Sequence, residues 1–217
     1  AWQCRSRSRR SIVNEDRRRI FPDQNPFSTA AVKPGAMAFR FYGETRAAEL
    51  VTKLETNQWR GEIVGPHGSG KSTLLQTIYP LLEAAGREVC QYIAKPKDNQ
   101  LPMSATDRSA WNKSTQVVVE GYELLSRSNR KLLDRACHEV GAGLLITCHK
   151  PQGLPSLFHT AITIELAVSI VTHLLPSECK FISDADVRNS FSRHGQNLRE
   201  LLFEMYDLYE QRRPRLS

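Results

Sequence analysis

Eight consecutive residues, Gly65-Pro66-His67-Gly68-Ser69-Gly70-Lys71-Ser72, restrict this chain more than any other stretch. They fit G-x-x-x-x-G-K-[ST], in which the glycines let the backbone turn tightly and aim successive N–H groups at phosphate oxygens. Glu62-Ile63-Val64 ahead of them is an apolar run that reads as a buried strand. Thr73 to Ile78 behind them starts a helical pattern with Leu74, Leu75 and Ile78 on one face. The helix N-terminus adds partial positive charge where the phosphates would lie. Lys71 is placed to reach the β- and γ-phosphates, and the Ser72 hydroxyl to ligate Mg²⁺. Gly65, Pro66, His67, Gly68, Ser69, Gly70, Lys71, Ser72 and Thr73 are therefore the expected nucleotide-binding residues.

The chain has 217 residues, enough for one α/β domain with a small appendage, and its 40% apolar content supports a core. The net charge of +7 is concentrated at one end. Seven arginines against Glu15 and Asp16 put +5 of it in residues 1–19, leaving +2 for everything after. Residues 1–20 have little to bury and read as a disordered basic tail, either an arm for nucleic acid or an acidic partner, or simply solvated. Ser8-Arg9-Arg10 faintly resembles a twin-arginine export signal, but the charged Asn14 to Arg19 stands where an apolar stretch is required, so no export is expected. The chain begins with Ala rather than Met, which leaves room for an earlier start. Five scattered cysteines (4, 90, 137, 148, 179) with no C-x-x-C suit a reducing cytoplasm, and their spacing to His138 and His149 matches no zinc pattern. No apolar run approaches the ~18 residues of a membrane span.

Residues 21–43 form a Pro- and Gly-punctuated lead-in. From 44 to about 165, strands and helices alternate. Helix 44–56 is followed by strand 61–64, by a helix to about Ala85 that Pro80 is expected to interrupt, and by strand 88–94. After a polar stretch come strand Gln116–Glu120, helix Asn129–Val140 closed by Gly141, strand Gly143–Cys148, and a short fifth strand at Ala161–Glu165. This order predicts a three-layer α/β sandwich around a five-stranded, mainly parallel sheet. Residues 166–211 read as a small helical subdomain, with 212–217 a tail. In it, Ser183 is expected to cap helix Asp184–His194. Asn197 and Glu200 have capping-box identities at the head of a last helix with Leu198, Leu201, Leu202, Met205, Leu208 and Tyr209 on one stripe.

Hydrolysis of a nucleoside triphosphate needs a held Mg²⁺, a group that orients or activates water, and donors for the developing charge. Glu120 ends the third strand, expected next to the strand that feeds the loop, and is the candidate metal carboxylate beside Ser72. Glu123, one short turn on, could polarise the attacking water. Thr147 and His149 end the fourth strand, where either could bond phosphate or water. Arg199, at the start of the last helix, could reach the phosphates.

Taken together, these segments resemble the AAA+ ATPases over roughly Gly43 to Gln211. Gly65–Ser72 resembles Walker A, Val117–Glu120 Walker B with Glu in place of Asp, Gly143–Thr147 the sensor-1 strand, and Gly195–Glu200 the sensor-2 segment. Val119-Glu120-Gly121-Tyr122-Glu123-Leu124 is also similar to the hydrophobic-Asp-Gly-x-acidic segment of NACHT and other STAND switch ATPases. The resemblance implies ATP with Mg²⁺, ATP hydrolysis driving or gating a conformational change, a protein partner, and a helical lid with Arg199 at the start of its last helix. Phe39, Phe41 and Tyr42 fall where the family's linker covers the adenine, or are simply core. Where the family carries an arginine finger, this chain has His159-Thr160.

Other readings compete. Asp107-Arg108 superficially resembles an acceptor pair of small-molecule P-loop kinases, but precedes a core strand rather than following one. Leu145–His149 resembles the switch-His strand of ABC-type ATPases, yet no L-S-G-G-Q segment precedes Gln116. A nucleotide-gated binding module with negligible turnover is the non-enzyme reading, favoured by Glu120 and the absent finger.

Overall fold

A computed structural model describes residues 25–41, 45–95, 101 and 103–213. The basic tail, Tyr42 and the last four residues lie outside the described residues. In chain order the elements are α1 (Thr29–Val32), α2 (Ala47–Thr56), β1 (Arg60–Val64), α3 (Lys71–Ala84), β2 (Glu88–Ile93), α4 (Ala105–Ser109), β3 (Thr115–Glu120), α5 (Arg127–Val140), β4 (Gly143–Cys148), β5 (Ser156–His159), α6 (Ile164–Leu174), α7 (Asp184–His194) and α8 (Leu198–Arg212). By their contacts the described residues form two units. One holds Phe41–Gly65 and Lys71–Thr160. The other holds the described residues up to Arg40, Pro66–Gly70, and Ala161 onward.

The first unit is built on a five-stranded sheet in the order β2-β3-β4-β1-β5, with every pair parallel. Its central strands are continuous apolar runs because both faces are covered. Val117, Val119, Leu144, Ile146 and Cys148 pack on one face with Leu133 and Cys137 of α5. Val118 and Leu145, pointing the other way, are equally buried, as are Leu74, Leu75, Ile78 and Leu82 of α3. Parallel strands put all their C-terminal ends at one edge, and the segments that follow β1, β3 and β4 meet there.

Three expectations change. Pro80 does not interrupt α3, which runs unbroken from Lys71 to Ala84. Its residues Ile78 and Leu82 are fully buried on either side of the proline, and that packing outweighs the missing N–H. The fifth strand is Ser156–His159, not 161–165. Ile162 packs instead into the helical unit, and Thr163 caps α6, its side chain accepting the Leu166 N–H at 3.2 Å. The alternating Ala-Ile-Thr-Ile therefore leads into a helix. Lastly, β3 is not the neighbour of β1, because β4 lies between them.

In the second unit, α6, α7 and α8 bury Ile170, Val171, Val187, Leu201, Leu202 and Met205 together with Phe27 of the lead-in. Ser183 and Asn197 cap α7 and α8 as their residue types require, accepting from Asp186 N and Glu200 N. Arg212 forks onto both Asp186 oxygens at 2.7 and 2.9 Å. That pairing, joined by Ser183, holds the Asp186 carboxyl well below the usual carboxylate range. Glu204, against the opposing effect of burial, is lowered by hydrogen bonds from Ser190, Arg193 and His194.

Both carboxyls bind protons more readily unfolded than folded. The stability they confer is therefore complete above about pH 4, the unfolded carboxylate value, and is lost as pH falls through the folded values. In an acid titration of the full chain followed by amide exchange over 183–212, wild type should lose protection below about pH 4. Arg212→Ala should make that loss shallower, and an unchanged profile would show that the pair does not contribute.

Candidate functional site

In the sheet unit the site begins where β1 stops. Gly65 donates its N–H to Cys148 O at 3.1 Å, tying the start of the loop to the end of β4. Lys71 opens α3, and its Nζ donates to Gly65 O at 2.7 Å, so the side chain already folds back over the loop. The next residue, Ser72, donates its hydroxyl to Glu120 Oε2. The other Glu120 oxygen accepts from Gln91 Nε2 of β2 at 2.5 Å. Glu120 thus reaches the Ser72 hydroxyl from one strand further away than expected, at the end of β3.

After Glu120 the chain turns through Gly121 in the left-handed region (φ 72°), whose N–H donates to Thr147 Oγ1 at 3.3 Å. A single 3₁₀ turn, Tyr122–Leu124, then presents Glu123. His149 Nδ1 lies 3.2 Å from Glu123 Oε1. Glu123 Oε2 is buried and has no hydrogen-bond partner among the described residues. Thr147, on β4, is itself 2% exposed. Glu120, Glu123, Thr147 and His149 are therefore brought together at the C-terminal edge of β3 and β4, next to Ser72. The neighbouring Cys148 thiol is pushed up to about 12, by burial first and by the Glu62 and Glu123 charges second, and stays protonated. A thiol so raised is a poor nucleophile near neutral pH.

The tip of the loop, Pro66–Gly70, groups with the helical unit. Gly68 and Gly70 both have left-handed φ, 71° and 92°. A Cβ on Gly68 would overlap Asn197 Oδ1, and one on Gly70 would press on the Phe39 ring at 3.2 Å. Ser69, fully buried, donates its hydroxyl to Pro66 O at 2.8 Å. Arg199 is exposed in the first turn of α8, in the same unit. Phe41, in the sheet unit, stacks edge-on against Phe158 with ring centroids 5.7 Å apart.

Sequence reasoning passed over Gln91, Glu62 and Arg130. Gln91 carries a faint signal, an uncharged polar residue inside the strand Glu88–Ile93. Glu62 is 2% exposed on β1, and its Oε2 accepts the N–H groups of Gln152 and Leu154 at 2.8 and 3.4 Å. Backbone amides thus compensate a buried carboxylate that the sequence shows only as a strand residue. Arg130 gives no sequence signal.

No family profile and no curated protein matches this chain. Solved structures do. The replication initiator DnaA bound to AMPPCP and single-stranded DNA superposes with a TM-score of 0.55 at 16% identity, over 79% of this chain and 63% of that one. Two variants of RuvB from Thermotoga maritima give TM-scores of 0.52 and 0.50, also at 16% identity, over 75% and 71% of this chain. These neighbours are AAA+ P-loop ATPases. This chain has the AAA+ type of P-loop fold. It spans only about 60% of their length, 63% of the DnaA chain and 61% and 57% of the two RuvB chains. Likeness to the AAA+ fold at this identity concerns the fold alone. Among the described residues no helix is long and apolar enough to cross a membrane.

Proposed function

We propose that this chain binds ATP with Mg²⁺ and hydrolyses it to drive or gate a conformational change on a protein partner. The observation that carries the reading is the meeting of the Ser72 hydroxyl with the Glu120 carboxylate, with Glu123 following one short turn later. The residues suit both ligands. Gly68 and Gly70 hold the loop in left-handed backbone, the conformation that lets successive loop N–H groups turn inward toward a phosphate. Ser72 and Glu120 offer the hard oxygen donors, few in number, that Mg²⁺ takes beside substrate phosphates. When bound there, Mg²⁺ would neutralise charge on the phosphates.

The chain's own residues divide the remaining tasks. Lys71 adds a point charge at the head of α3, and the loop N–H groups orient the phosphates. Glu123 accepts a hydrogen bond from the attacking water through its unpaired Oε2 and takes up the proton. Thr147 and His149 flank it as further hydrogen-bonding groups. Residues 166–211 serve as a lid that brings Arg199 to the developing charge. The free Cys137, Cys148 and Cys179 fit a cytoplasmic protein. The Arg-rich tail is a candidate arm for nucleic acid, and the single-stranded DNA bound by DnaA makes DNA the first polymer to test.

The test is phosphate release from Mg·ATP by the full chain, with and without single-stranded DNA, beside Lys71→Ala. Turnover lost in that variant supports the reading, whereas ATP binding without turnover replaces it with a nucleotide-gated module. The hold of His149 on Glu123 favours that second reading. Arg199→Ala should keep ATP affinity within about threefold while lowering turnover about tenfold or more, as loss of a charge-stabilising donor does. A silent variant would remove Arg199 and the lid from the mechanism.

A further inference from the structure

Arg130 stands in the first turn of α5, just after the Ser126 cap, with its N–H donated to Ser126 O at 2.9 Å. Its guanidinium uses all three nitrogens. Nε donates to Leu125 O at 2.9 Å, Nη2 to Glu123 O at 2.7 Å, and Nη1 to Gln152 Oε1 at 2.5 Å. The plane also lies over the Tyr122 ring, 5.4 Å from its centroid. One side chain therefore grips the 3₁₀ turn at its aromatic residue and at two carbonyls, one of which belongs to Glu123 itself. The same side chain reaches across to the loop after β4.

That loop is independently anchored. Buried Glu62 of β1 accepts from the backbone of Gln152 and Leu154, so the position of Gln152 is referred to the strand that feeds the phosphate loop. The Gln152 amide further donates to Lys150 O at 2.8 Å, and the loop begins beside His149, whose Nδ1 faces Glu123. We infer that Arg130 is a positioning residue. It clamps the turn that carries Glu123 to the β1-anchored loop that carries Gln152, and thereby sets where the Glu123 carboxylate stands for attack by water.

The physical argument is one of geometry. Glu123 follows a glycine with left-handed φ and sits on a single 3₁₀ turn, which has only one i→i+3 bond to Gly121 O and one to Tyr122 O to hold it. Such a turn is weakly determined by itself. A rigid planar fork making three divergent hydrogen bonds restricts it in a way that one flexible ammonium cannot. Displacing a reacting group by about 1 Å can cost on the order of 100-fold in rate.

The inference rests on the hydrolysis reading above, and its test separates the two. Full-length Arg130→Lys, Arg130→Met, Gln152→Ala and the Arg130→Lys/Gln152→Ala double variant are compared with wild type in Mg·ATP turnover and in amide exchange over 121–125 and 149–154. Both Arg130 variants should exchange faster in both segments and lose about tenfold in kcat, with KM for ATP within about twofold. The double variant should be no slower than Arg130→Lys alone, because the two residues act as one bridge. Full kcat in Arg130→Lys, additive losses in the double variant, or unchanged exchange in both segments would each overturn the proposal. If Arg130→Met does not fold, Arg130→Lys carries the same comparison. If wild type shows no turnover that Lys71→Ala removes, the hydrolysis reading fails and with it the catalytic consequence of the clamp. The exchange comparison would then still decide whether the clamp exists.

Discussion

Lys71→Ala should abolish ATP binding at concentrations that saturate the wild-type chain, a loss of about 100-fold or more in affinity. Lys71 is the first residue of α3 and its ammonium already reaches back to Gly65 O at 2.7 Å, so it overhangs the loop before any phosphate arrives. A charge-assisted hydrogen bond contributes roughly 1.5–3 kcal/mol, or about 10- to 150-fold, and a cation facing a polyanion adds a long-range attraction to that. The substitution spares the scaffold. Alanine is the best helix former, and the helix is held by Leu74, Leu75, Ile78 and Leu82, all fully buried. Fluorescent-nucleotide titration gives the affinity, and an unchanged melting temperature identifies the loss as one of binding. Wild-type affinity in the variant would remove the nucleotide reading altogether.

Glu123→Gln should do the reverse, keeping ATP affinity within about twofold while turnover falls by roughly 100- to 10,000-fold, the range that a positioned general base supplies. The amide is nearly isosteric and can still meet His149 from one end, so the turn after Gly121 should persist. It cannot take a proton at the position of Oε2, the buried oxygen that no described residue engages. Single-turnover phosphate release under saturating Mg·ATP separates binding from chemistry. Equal turnover in the variant would acquit Glu123 and return attention to Glu120 or His149.

Several parts of this site were legible from residue order because their physics is local. The Gly65–Ser72 pattern needs only its own glycines and the strand and helix that flank it. The caps at Ser183 and Asn197 act on N–H groups three residues ahead, and the left-handed Gly141 closes α5 within one turn. The strand runs Gln116–Glu120 and Gly143–Cys148 were also visible, since a strand covered on both faces must be apolar throughout. Local signals also misled. Alternation at Ala161–Glu165 was equally compatible with a strand and with a capped helix entry, and the burial of Ile162 in the helical unit decided it. Pro80 was locally a helix breaker, and the packing of α3 overrode it.

By itself the sequence determined that a G-x-x-x-x-G-K-[ST] loop stands between a strand and a helix, that Glu120, Glu123, Thr147 and His149 lie at or just beyond the ends of core strands, and that helical segments come after them. Only the tertiary structure decided which of these residues meet. A β-branched run states that its strand is buried but not beside which neighbour, because inter-strand bonds use the same backbone groups whatever the order. The order β2-β3-β4-β1-β5 sets β4 between β1 and β3, pairs Glu120 with Gln91 as well as with Ser72, and lets Arg130 span from Glu123 to Gln152. Contacts between residues 20 to 50 positions apart depend on non-local packing, and no periodicity within one segment encodes them.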